Sequence, residues 1–151
     1  MGHPESVRFV PIREAICSAL ADAPPLAEVK TVVRDREAFA ALAASQYPAI
    51  GVFFADPAGR EKALYAAGGR DHSYQFEVHV AVRALEGAQA CEDLLFAYVE
   101  AVEDALRAAP TLGGLVRYMG MDLVRRRQLR GGAYWQAQAA LIVRCEHTLV
   151  H

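Results

Sequence analysis

From residue 72 to residue 83, hydrophobic and polar side chains alternate without a break. Tyr74, Phe76, Val78, Val80 and Val82 fall on one side of an extended chain; Ser73, Gln75, Glu77, His79, Ala81 and Arg83 fall on the other. A period of two held this long predicts a half-buried β-strand, because successive side chains point to opposite faces of a pleated sheet. After Leu85-Glu86-Gly87 the pattern changes to helical spacing. Cys91, Leu95, Tyr98, Val102, Ala105 and Leu106 form one apolar stripe of a helix over 88–109, with Glu92, Asp93, Glu100, Glu103 and Asp104 turned away and Pro110 as the stop. Alternation then returns. Leu115 to Val124 predicts a strand bulged at Gly120, RRRQLRGG an exposed hairpin tip, and Ala133 to Glu146 a closing strand. That strand places Trp135, Ala137, Ala139, Leu141, Val143 and Cys145 on one face.

Upstream, Ile12, Ile16, Ala19 and Leu20 predict a first helix over 9–22, ended by Pro24-Pro25. EVKTVVR (28–34) reads as a short strand, and Asp35 as the N-cap of a second helix through Ala44 with Phe39 and Leu42 inward. AIGVFF (49–54) is the continuous apolar run of a central strand. Asp56-Pro57-Ala58-Gly59 predicts a turn, Lys62 to Ala66 a short edge strand, and Gly68-Gly69 the lead into the long strand. Together these elements predict a single α+β domain spanning residues 1–151, a mostly antiparallel sheet flanked by helices, with the long helix between strands.

Composition changes this picture little. At 151 residues, with 54% hydrophobic and 23% charged side chains, the chain fits one globular domain. A net charge of −2 leaves no whole-domain footprint for nucleic acid. No apolar run approaches a membrane span, and MGHPESVR lacks the regions of a signal peptide, so no membrane partner is expected. Cys17, Cys91 and Cys145 are far apart on apolar faces and read as buried, reduced thiols.

Candidate chemistry is sparse. Glu77 and His79 share a strand face, but no further ligand stands at a spacing that would complete a metal site, so a half-exposed histidine on a solvated face is expected. No nucleophile elbow and no phosphate-binding glycine motif is present, and neither an enzyme nor a cofactor is expected. Gln75, Glu77, His79, Gln136 and Gln138 predict a polar sheet face, either solvated or pressed on a partner. Arg125, Arg126, Arg127 and Arg130 form the one charge cluster. The acidic helix face, with Glu100, Glu103 and Asp104, offers a complementary patch for self-association.

The order of elements is similar to that of a known family. The helix ending at ALADAP and the strand YPAIGVFF carry the resemblance. So do the strand YQFEVHVAVRALEG running into CEDLLFAYVEAVEDAL, and the closing GGAYWQAQAALIVRCEH. Over nearly its whole length the chain resembles the tail terminator (tail completion) proteins of long-tailed bacteriophages and prophage-derived particles. The resemblance implies a hexameric ring that caps the tail tube, ends tube-subunit addition and offers a joining surface to the head connector. DNA would pass through the lumen without sequence-specific binding. Such a protein assembles in the host cytoplasm and resides at the head-proximal end of the virion tail. The family has no catalytic signature, so no site residues are carried over; charge and loop position put Arg125 to Arg130 at a subunit interface or the lumen. A head-side stopper or adaptor would share the pattern. Two other classes are a small-ligand domain around Glu77, His79 and Gln138, and a nucleic-acid module using RRRQLRGG.

Overall fold

The computed structural model describes residues 4–6, 9–55 and 71–148. The turn expected at 56–59 and the edge strand expected at 62–66 lie outside them. Helix α1 (Phe9–Ala21) leads through a short 3-10 turn (Pro24–Leu26) to strand β1 (Thr31–Val33). Helix α2 (Arg36–Ala40) and a second 3-10 turn (Ala44–Gln46) precede β2 (Ala49–Phe54). Then come β3 (Asp71–Ala84), the long helix α3 (Ala88–Arg107), β4 (Tyr118–Gly131) and β5 (Tyr134–Thr148). The described strands form one sheet in the order β1-β2-β3-β5-β4. It is an α+β domain with a mixed sheet: β1 runs parallel to β2, and every other neighbouring pair is antiparallel. The parallel pair exists because α2 forms a crossover between β1 and β2, and a crossover delivers the chain back in the same direction.

The helices follow from local chemistry. Asp35 caps α2, its carboxylate accepting a hydrogen bond from the Glu37 N–H at 3.1 Å. The helix is shorter than its alanine content predicts. It stops after Ala40, because Leu42 leaves the helical path and the backbone turns at Ala41. Gly87, at φ +141°, makes the corner from β3 into α3. Arg107 ends α3 where a cation complements the carbonyl end of the helix.

The core is layered. Tyr74, Phe76, Val78, Val80 and Val82 of β3 meet Ile50 and Val52 of β2 and Ala137 to Cys145 of β5 beneath α1 and α3. Ile12, Ile16 and Leu20 of α1, with Cys91, Leu95, Val99, Val102 and Leu106 of α3, close that layer. Each such side chain withdrawn from water contributes about 1.5–3 kcal/mol. On the opposite face a smaller cluster (Phe39, Ala49, Phe53 and Ala81) sits under α2. α2 covers only the β1–β2 side of that face.

The segment RRRQLRGG is not a loop. β4 continues through it, paired with β5 as far as Gly131↔Tyr134. Gly132-Ala133 alone make the turn, with Gly132 at φ +65°, the positive angle that the first central residue of a tight hairpin turn requires. Nor is the bulge at Gly120, which pairs in register with Arg144; it falls between Leu123 and Arg125.

Candidate functional site

Alternation along β3 and β5 fixes one half of the uncovered sheet face. Gln75, Glu77, His79 and Arg83 project from β3; Gln136, Gln138, Ala140, Ile142 and Arg144 lie beside them on β5. The bulge decides what β4 adds. Before it, Leu123 pairs with Leu141 on the helix side; after it, Arg125 pairs with Ala140 and Arg127 with Gln138 on the uncovered side. A bulge inserts one residue and so reverses which side chains face which way.

The arginine cluster is therefore two groups. Arg126, Gln128 and Arg130 turn toward α3. Arg126 pairs with Glu92 at 3.3 Å and stands over the Phe96 ring at 5.3 Å. Gln128 donates to the Ala88 carbonyl at 2.6 Å, and Arg130 lies over Trp135. Arg125 and Arg127, with His79 and Gln138, line a shallow depression of about 270 Å³ on the other face.

Glu77 is the centre of the uncovered face. It accepts a hydrogen bond from His79 Nε2 at 2.8 Å and pairs with Arg36 at 3.3 Å and Arg125 at 3.7 Å. The side chains of Glu77 and His79 are only 15% and 14% exposed. His79 is thus not the half-exposed residue of a solvated face. The rings of Phe39 and Phe53 flank it at 5.7 and 5.0 Å, and Arg36 lies over Phe53 while donating to the Phe54 carbonyl. Burial pushes the Glu77 carboxyl up, but the hydrogen bonds from His79 and Arg36 and the Arg36 charge outweigh it and hold the group below its ordinary value. Burial lowers His79; Glu77 opposes that, while Arg36 and Arg125 add to it, and the net direction is down. At neutral pH the pair is a carboxylate beside a neutral imidazole.

Two further clusters stand on this face. Arg83 is held between the rings of Tyr47 and Tyr134, each 4.1 Å from its guanidinium carbon, with its Nε–H buried and lacking an acceptor among the described residues. Arg144 pairs with Asp122 at 2.9 Å. Gln75, Gln136 and Gln138 are half-buried here.

The acidic residues of α3 do not meet the arginines within one chain, apart from the Arg126–Glu92 pair. Glu103 takes Arg107 at 3.0 Å, and Asp104 reaches the same guanidinium at 3.6 Å. Glu100 stays exposed. Among the described residues no three His, Cys, Asp or Glu side chains converge as metal ligands would, and no helix is long and apolar enough to cross a membrane. All three cysteines are buried thiols, and burial pushes Cys145 up to about 12.

Sequence reasoning missed Arg36, Phe39 and Phe53 as neighbours of Glu77 and His79. No spacing signals them, because the crossover through α2 brings in Arg36 and Phe39 while the pairing of β2 with β3 brings in Phe53. The signal for Arg83 was available in part: Tyr134 shares the outer face of the adjacent strand. No protein-family model and no curated protein matches the chain.

Proposed function

We propose that this chain is a structural assembly protein, a tail terminator that forms a ring at the end of a phage-type tail tube. The ring ends tube-subunit addition and joins the tube to the head connector, with DNA passing through its lumen. No covalent step is involved. The resemblance in element order supports the reading. The observation that carries it is the uncovered half of the sheet. Among the described residues β4 is a 14-residue edge strand, and the face beside it is charged and carries no covering helix. Long edges and bare sheet faces are normally blunted or occupied, and a neighbouring subunit would occupy these. Glu77, His79, Arg36 and Arg125 then act as a braced floor for recognition.

Electron microscopy and native mass measurement of the purified protein, alone and with tail-tube protein, test the reading. Rings of about six subunits, with closed cyclic symmetry, that stop tube growth are expected. A monomer that neither forms rings nor binds the tube would overturn it, and binding to the head connector alone would move the role to the head side.

A further inference from the structure

Resting on the ring reading, we infer that the ring contact is head-to-tail. Glu100 and Asp104 on α3 of one copy seat on Arg125 and Arg127 of the next. The two patches are on opposite faces of the same sheet. Arg125 and Arg127 rise from the uncovered face, while α3 lies across the other. Two different patches on opposite sides of a molecule make a heterologous contact, and repetition of that contact closes into a ring when the rotation allows.

Charge selects the residues. Among the described residues Arg127 has no ion-pair partner. Arg125 is 63% exposed and among the described residues reaches only Glu77, whose carboxylate is already closer to His79 and Arg36. Arg126 is committed to Glu92 and Phe96, and Arg130 to Trp135, both on the helix side. On α3 the exposed stripe is Asp93, Ala97, Glu100 and Asp104. Glu103 is excluded, being 28% exposed and bonded to Arg107. Glu100 has no ion-pair partner among the described residues, and Asp104 is 76% exposed.

Spacing agrees with charge. Two residues along a strand separate Arg125 from Arg127 by about 7 Å. Four residues along a helix separate Glu100 from Asp104 by about 6 Å. Ala97, one turn before Glu100, keeps the helix surface low enough for close approach. A nucleic-acid backbone is the competing occupant. Two arginines free of tight partners would hold phosphates weakly, with a shallow salt dependence, whereas the matching acids are present on every copy.

The experiment uses the full chain and reads assembly by analytical ultracentrifugation, with circular dichroism to confirm folding. Arg127→Glu breaks no pair within the described residues and should raise the concentration for half-assembly on the order of 100-fold, through like-charge juxtaposition. The double variants Arg125→Glu/Arg127→Glu and Glu100→Arg/Asp104→Arg should each fail to form rings alone. Mixed in equal amounts they should form alternating rings, because every contact then joins opposite charges. If the first double variant does not fold, Arg127→Glu is mixed with the helix variant instead. Wild-type rings that persist in Arg127→Glu would overturn the interface and leave the ring reading standing. So would variants that fail alone and stay apart when mixed, or intact rings with reduced retention of duplex DNA. A wild-type protein that forms no ring would sink both.

Discussion

Replacing Glu77 by Gln removes one negative charge at constant shape from the centre of the uncovered face. The His79–Glu77 hydrogen bond, between side chains about one-seventh exposed, changes from a charged acceptor to a neutral one. Charged hydrogen bonds contribute about 1.5–3 kcal/mol and neutral ones about 0.5–1.5, so this step costs about 1 kcal/mol. The Arg36 and Arg125 side chains are 51% and 63% exposed. Water screens them, and each lost pair adds about 0.2–1 kcal/mol. The sum is about 2 kcal/mol. For a chain of this length that corresponds to a fall in Tm of about 4–8 °C, at about 2–4 °C per kcal/mol. Urea unfolding followed by circular dichroism measures the first quantity. Proton NMR titration supplies an independent check. Glu77 raises the His79 pKa against burial and against both arginines, so its loss should move the His79 titration further down. A Glu77→Gln protein within about 0.5 kcal/mol of wild type, the scatter ordinary for surface changes, would refute the reasoning. So would an unmoved His79 titration.

Gly51 stands opposite His79 in the ladder, and a Cβ there would run into the Phe53 ring and come within 2.9 Å of Phe39. Gly51→Ala should therefore destabilise by about 1–3 kcal/mol in urea melts, and a neutral effect would show that α2 moves aside freely. Since His79 is depressed when folded, the unfolded chain binds more protons below pH about 6.5. The stability that depression provides is present above pH about 6.5 and is lost as pH falls from there through the folded value. His79→Gln should flatten that part of the urea-midpoint profile, and an unchanged slope would exclude His79 as its source. Cys17, Cys91 and Cys145 should resist a thiol reagent at pH 8 until urea unfolds the chain, because all three are buried and shifted upward; rapid labelling of native protein would contradict this. Asp35→Ala should cost about 0.5–2 kcal/mol through loss of the α2 cap, read by the same unfolding assay.

The parts of the fold that were legible are those buried on one side only. β3, β5 and α3 bury one face and wet or half-wet the other, so Tyr74 to Val82, Ala137 to Cys145 and the Cys91–Leu106 stripe show their period in the sequence. The second half of β4 was not legible. As an edge strand it exposes arginines on both sides, and Arg125, Arg126 and Arg127 give no alternation to read. Only the ladder to β5 reveals it. The parallel direction of β1 was hidden for a different reason, since three half-buried residues carry no directional signal. At the site, Glu77 and His79 could be paired from their spacing. Their burial could not, because Arg36 and Phe39 arrive from the crossover helix and Phe53 from strand β2, some 25 to 40 residues earlier in the chain.

The irregularity between Leu123 and Arg125 makes the surface of this protein a matter of counting. Were residue 124 to pair with Ala140 and the ladder to run on without the bulge, the composition and net charge would be untouched. Yet Arg125 and Arg127 would then oppose the helix-side positions of β5, and Arg126 would emerge on the bare face in their place. The electrostatic pattern offered to a neighbour is thus stored in the phase of the strand as much as in the residues themselves. A related chain whose strand ran on without that irregularity would present a different face to its neighbour, with every arginine retained.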